Sequence, residues 1–238
     1  WLICKVEGIM NIKDIITEGL NHPCIVVDVQ PEYSGMNDGD ENSVFPEIIN
    51  FINKQTGPVL MFVNAEDQGL SGDTVQSIKQ YWDDTICPED ERYTYNDETE
   101  DYDKNPNCPK INWQRFTIVD KGYGYFRAWM DQNINPATII KVIRFMYQSK
   151  VTDSRELFGG ENEEDYAENM QKLVGPEFDY WMLSDAISVN WTSIAQLRRF
   201  NGAYIVGGGR NECLQEVELL MSAFNVKYKR IDRLVYGQ

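Results

Sequence analysis

Apolar runs and helical stripes take turns along this chain. Pro23-Cys24-Ile25-Val26-Val27-Asp28-Val29 is a short apolar run ending near an acid. That pattern predicts a strand buried on both faces, as in a parallel sheet. From Val44 to Ile52 the apolar positions Phe45, Ile48, Ile49 and Ile52 fall on one helical stripe, and Gly57-Pro58 ends it. Val59 to Val63 predicts a second strand. Ser71 to Trp82 predicts a helix with Ser71 or Asp73 as its cap. Arg115 to Val119 reads as a third strand and Pro136 to Tyr147 as a strongly amphipathic helix. Ser193 to Phe200 follows as a helix, Ala203 to Val206 as a strand, Cys213 to Phe224 as a helix and Tyr228 to Val235 as the last strand. Alternation of this kind predicts an α/β fold: a doubly wound parallel sheet in a three-layer α/β/α sandwich.

Two acidic segments interrupt the alternation. Residues 83–103 hold ten acids and one base, Arg92, with Tyr93, Tyr95 and Tyr102 among them. Residues 150–180 carry Glu161, Glu163, Glu164, Asp165 and Glu168. Both are expected to be solvated loops or peripheral helices. The carboxylates at 97–103 lack the glycine and closing Glu of an EF-hand loop. The expected organisation is an N-terminal extension with a short helix over 1–22 and one domain over 23–238, with insertions near 83–112 and 148–190.

Charge narrows the partners. The formal net charge is −16, which argues against a nucleic-acid backbone, since phosphate binding needs clustered Lys and Arg. No apolar run approaches the ~20 residues of a membrane span, and no secretory leader is evident near the start. The expected partner is a small-molecule substrate, not nucleic acid or membrane. Homo-oligomers are compatible with a sheet of this type. Five cysteines without framework spacing predict a reducing, cytoplasmic setting; Cys87 and Cys108 flank one acidic loop and could pair, but two thiols alone are a weak disulfide or metal signal, and free thiols are the favoured reading.

The chemistry concentrates at a turn. Ala203-Tyr204-Ile205-Val206 runs into Gly207-Gly208-Gly209, and Cys213 stands at the start of the next helix. Glycines allow a tight turn and close approach of backbone to ligand. A helix start offers free N–H groups and a positive dipole end. A cysteine there is expected to have a depressed pKa and an oxyanion site beside it. Asn211 reads as the helix cap. In an open parallel sheet, ligands bind beyond the carboxyl ends of strands. Asp28 ends the first strand and Lys121 directly follows the third. Asp28 fits a general base for the thiol, and Lys121 a cation holding both in their charged forms.

These residues resemble the motifs of the isochorismatase-like cysteine hydrolases. Ile25-Val26-Val27-Asp28-Val29-Gln30 followed by Tyr33 is similar to the family's opening motif. Lys121 with Tyr123, Tyr125 and Phe126 is similar to its lysine and aromatic turn. Gly207, six positions before Cys213, is similar to its nucleophile motif. The order Asp, Lys, Cys is the family's order. The resemblance implies a metal-independent hydrolase of a small amide, ureido or enol-ether substrate, without cofactor. Asp28 would shuttle the proton, Lys121 would partner it and Cys213 would be the nucleophile. It also implies a cis bond between Gly208 and Gly209, with the Gly209 and Cys213 N–H groups as the oxyanion hole. Tyr33, Tyr123, Phe126 and Arg210 are the candidate substrate contacts, although Arg210 equally fits a pairing with a nearby carboxylate.

The chain departs from the family at several points. Arg210 replaces a small residue, the aromatic turn is short, and the segment between Lys121 and Cys213 is long. Where metal-dependent members place an Asp and histidines, this chain has Asn64-Ala65-Glu66-Asp67-Gln68, and its single histidine is His22. No metal site is expected. The competing readings are an inactive protein that keeps the fold for binding or interaction, and a nucleotide-binding enzyme using the glycine turn as a phosphate loop. The latter lacks a Lys or Ser/Thr at P-loop spacing.

Overall fold

The computed structural model describes residues 21–35, 44–64, 73–121, 126–131, 133–158, 163–175 and 187–237. The expected helix within 1–20, the tyrosines Tyr123 and Tyr125, Ser71, and the loop 65–72 lie outside the described residues.

Five parallel strands form the central sheet: β1 (Cys24–Val27), β2 (Val59–Val63), β5 (Phe116–Asp120), β6 (Ala203–Gly207) and β7 (Tyr228–Val235), in the order β5-β2-β1-β6-β7. The chain builds outward from β1 through β2 to β5, then returns to lay β6 and β7 on the other side. The strand order therefore reverses between β1 and β6, the position at which open α/β sheets bind ligands, beyond the carboxyl ends of their strands. Alternate side chains of each strand go to opposite faces. Ile25, Val27, Leu60, Phe62 and Ile205 enter one apolar cluster, and Cys24, Val26, Met61, Tyr204 and Val206 enter the other.

Each face is covered by helices whose apolar stripes match it. α1 (Val44–Lys54) buries Phe45, Ile48, Ile49 and Ile52, and α2 (Val75–Ile86) buries Ile78 and Trp82, both on the second face. On the first face α4 (Pro136–Ser149) buries Ile139, Val142, Ile143 and Met146. α7 (Trp191–Leu197) and α8 (Cys213–Ala223) lie beside it. Each fully buried Ile or Leu contributes about 1.5–3 kcal/mol. α4 is delimited as its sequence predicts: Asn135 caps it, Pro136 opens it, and Lys150 closes it in the left-handed region at φ 60°. α3 (Arg127–Asp131) is a single short turn after β5.

Several boundaries differ from the sequence reading. α2 starts at Val75, because Thr74 and Ser77 form a reciprocal capping box at 2.9–3.0 Å. Asp73 instead accepts the Glu32 N–H at 2.9 Å and the Gln30 amide at 3.3 Å. The helix expected over 193–200 is α7 followed by a 3-10 turn, Arg198–Phe200.

The acidic segment 83–112 holds an antiparallel hairpin, β3 (Tyr93–Asn96) and β4 (Asp101–Lys104), with Tyr95 opposite Tyr102. Its base is closed by a Cys87–Cys108 disulfide with Cα atoms 5.5 Å apart. The reading of these cysteines as free thiols is corrected, and the reducing setting inferred from them loses that support. α2 and Ile111 bring the two thiols together: Asp83 Oδ1 accepts the Ile111 N–H at 2.8 Å and folds the loop back. The segment 148–190 contains α5 (Ser154–Phe158) and α6 (Glu163–Val174). It is not wholly peripheral, since Met170 and Ile187 are fully buried in the first-face cluster.

Candidate active site

Asp28 takes its position from the first residue after β1. Its backbone lies in the left-handed region at φ 52°, a conformation that costs an ordinary side chain about 1 kcal/mol or more. Two bonds hold it there: its N–H donates to Phe62 O at 3.0 Å, and the Tyr236 hydroxyl donates to its carbonyl at 2.5 Å. The turn aims the carboxylate across β2 toward β5. There the Lys121 N–H donates to Val63 O at 2.7 Å, which fixes the lysine immediately after its strand.

Lys121 Nζ lies 2.8 Å from Asp28 Oδ2, with only 2% and 3% of the side chains exposed. Burial works against the lysine charge, but Asp28, the Cys213 sulfur and Glu216 outweigh it, so the Lys121 pKa rises. Asp28 Oδ1 is buried without a hydrogen-bond partner.

Cys213 is the first residue of α8, partly exposed and free. Both Asp28 and Lys121 engage its sulfur. Its pKa is not depressed, as the helix start suggested. Burial and the Asp28 carboxylate push it up to about 12, against the opposing effect of Lys121. The resting group is therefore a thiol. Cys24 is pushed up to about 12 by burial alone, with Arg115 opposing, and is fully buried in the core.

The glycine turn has strict space requirements. Gly207 sits at φ 111°, and a Cβ there would lie 2.1 Å from Val27 O. A Cβ on Gly208 would lie 2.1 Å from the Tyr236 ring, which stacks on the turn. The Gly208 N–H donates to Val27 O and the Arg210 N–H to Tyr236 O, both at 3.0 Å. These bonds shape the turn with trans links, so the expected cis bond between Gly208 and Gly209 is corrected. Among the described residues, the Gly209 and Cys213 N–H groups donate to no backbone carbonyl outside the helices and strands. Glu212, not Asn211, holds the cap position, with no side-chain cap bond.

The four candidate substrate contacts divide. Tyr33 is half-buried, and its hydroxyl accepts the Asn64 amide at 2.9 Å. Its pKa is raised by burial first, against the Asn64 bond, with smaller effects of Asp28, Lys121 and Cys213, so it lies near those three side chains. Phe126 is 2% exposed and packs in the first-face core. Arg210 reaches β7 instead of the thiol, donating to the Asp232 and Val235 carbonyls at 3.3 and 3.2 Å. Tyr123 lies outside the described residues.

Several supporting residues escaped the sequence reading. Tyr236 carried no signal beyond being aromatic near a strand end. Gln30 is fully buried and trades hydrogen bonds with the Asn64 backbone at 2.9 Å each way, locking the loop after β1 to the end of β2. Glu216 is a fully buried carboxyl on α8. Its place inside the apolar stripe of a helix was the available clue.

No group of three or more His, Cys, Asp and Glu capable of holding a metal occurs among the described residues, and no described helix is long and apolar enough to cross a membrane. No family model matches the chain, and no curated protein or solved structure is significantly similar to it.

Proposed function

We propose that the chain is a metal-independent, isochorismatase-like cysteine hydrolase of a small amide, ureido or enol-ether substrate. The observation that carries this reading is the buried Asp28–Lys121 pair at 2.8 Å acting on the free Cys213 thiol. Three residues far apart in sequence meet at the strand-order reversal, a costly arrangement for packing alone. A buried ion pair is weak support for stability by itself, and a polar cluster around a thiol suits proton transfer.

In this mechanism the unpartnered Oδ1 of Asp28 takes the thiol proton as the sulfur adds to the carbonyl carbon. The Gly209 and Cys213 N–H groups hold the oxyanion. For an amide or ureido substrate, whose scissile carbon is an acyl carbon, collapse breaks the C–N bond, and the leaving amine takes the proton from Asp28. Water then attacks the thioester with Asp28 as base, which releases the acid and restores the thiol. Lys121 stays charged throughout and keeps Asp28 aligned.

Alkylation by iodoacetamide, followed residue by residue, tests the reading. Cys213 is expected to react near neutral pH at least tenfold faster than Cys24, and Asp28→Asn to slow it by about 10²-fold, the lower end for a general base. Equal rates for both thiols would favour the second reading, a non-catalytic interaction protein. That reading draws on the hairpin tyrosines Tyr93, Tyr95 and Tyr102, which are 51–66% exposed.

A further inference from the structure

Tyr236 is the first residue after β7, and no step of the mechanism above uses it. Yet four parts of this one residue touch the two loops that carry the chemistry. Its N–H donates to Gly207 O and its carbonyl accepts the Arg210 N–H, both at 3.0 Å, so it holds the glycine turn from both sides. Its ring lies against Gly208, where a Cβ would fall 2.1 Å from the ring carbons. Its hydroxyl donates to the Asp28 carbonyl at 2.5 Å. Phe45 backs the ring edge-on at 4.9 Å between centroids and limits how far it can swing.

Asp28 needs such a hold. Its left-handed backbone, at φ 52°, is strained for any residue with a side chain and persists only where neighbours impose it. The bond from its N–H to Phe62 O fixes one side of the residue, and the Tyr236 hydroxyl fixes the other. Relaxation of this backbone would turn the Cα–Cβ bond and carry the carboxylate away from the sulfur. Burial, with Asp28 and Cys213 adding to it, raises the Tyr236 pKa well above the usual phenol range, so the hydroxyl remains a donor.

We propose that Tyr236 is a positioning residue that sets the base against the nucleophile turn: its hydroxyl fixes Asp28, while its ring and backbone fix Gly207 to Arg210. The role deepens the hydrolase reading and rests on it, but its test needs no turnover. Tyr236→Phe keeps the ring and the backbone bonds and loses only the hydroxyl. Tyr236→Leu loses the ring as well.

Site-resolved alkylation of Cys213 by iodoacetamide, followed against pH, gives the first readout. The wild-type rate is expected to change little around neutral pH, because Asp28 takes the thiol proton during attack. Tyr236→Phe is expected to react about tenfold more slowly at pH 7, the scale of one lost hydrogen bond. Its rate should then climb about tenfold per pH unit, as for a thiol that reacts only as the free thiolate. A hydroxyl that only packs would lower the denaturation midpoint and leave that slope as in the wild type. Amide exchange gives the second readout. Tyr236→Phe is expected to speed exchange at Asp28 about tenfold and to spare Gly208, and Tyr236→Leu to speed both. A wild-type slope, or wild-type exchange at Asp28, in Tyr236→Phe would overturn the proposal. If Cys213 reacts no faster than Cys24 in the wild type, the hydrolase reading falls, and exchange at Asp28 alone decides whether the hydroxyl sets that residue.

Discussion

At the residue scale, Lys121 is valuable chiefly because Asp28 cannot do without it. Removing one partner of a buried ion pair strands the other charge. Lys121→Met is therefore expected to cost about 3–5 kcal/mol in denaturant unfolding, and to slow Cys213 alkylation as well. A merely exposed lysine would show neither effect. Gly207→Ala is the backbone counterpart. Its Cβ would press on Val27 O at 2.1 Å in a backbone region that suits glycine, so the variant is expected to unfold at clearly lower denaturant.

The buried thiols add a pH dependence whose direction follows from their raised pKa. Cys24 and Cys213 stay protonated when folded up to about 12 and ionise near 9.0 when exposed. Below pH 9 the stability tied to these protons is intact. Above it the unfolded chain sheds protons that the folded chain keeps, so stability falls, by up to ~1.4 kcal/mol per pH unit for each thiol. Denaturation midpoints measured from pH 8 to 11 are expected to fall, and less steeply in Cys24→Ser. Asp28 and Lys121 were legible as candidates because each stands where a strand pattern stops, and Cys213 because it opens a helix after a glycine turn. For Arg210 the sequence left two readings, and the structure favours the carboxylate pairing: its guanidinium lies 3.6 Å from Asp232 Oδ1 on β7, a partner only tertiary structure could name.

At the scale of elements, helices and strands with strong apolar periodicity were legible nearly to the residue. α1 and α4 show this, since their stripes match one sheet face each. Boundaries set by side-chain detail were not. Thr74 caps α2 because Ser77 answers it, and Asp73, the better cap by residue type, is spent on the Gln30 loop. The hairpin of β3 and β4 was hidden for another reason: its residues are exposed and acidic, so no hydrophobic alternation marks it. Such a hairpin is marginal without support. The Cys87–Cys108 link is expected to hold it, closing a loop that removes about 3 kcal/mol of unfolded-state freedom. Cys87→Ser with Cys108→Ser should speed amide exchange in 93–104 while leaving exchange in β1, β2 and β6 unchanged.

At the scale of the whole molecule, a parallel sheet with helices on both faces follows from the alternation of elements, and the strand order supplies what alternation cannot. With β1 at the centre and the chain reversing between β1 and β6, the ends of the first and sixth strands become neighbours. The site must then lie at that seam. Among the described parts of the acidic insertions, the hairpin follows the end of α2, and α6 packs on the first face through Met170. Ile143→Ala, in the middle of α4, is expected to cost about 2–5 kcal/mol and to leave the relative reactivity of Cys213 and Cys24 unchanged.

The Tyr236 hydroxyl bond to Asp28 spans 208 positions of the chain. On the ribosome, β1, β2 and β5 emerge together with Asp28 and Lys121, so the ion pair is available early. The thiol arrives later, and the ring that clamps the glycine turn and steadies Asp28 arrives after it. During synthesis the Asp28–Lys121 pair therefore precedes the thiol, and on the hydrolase proposal the site is complete only after β7 has joined the sheet.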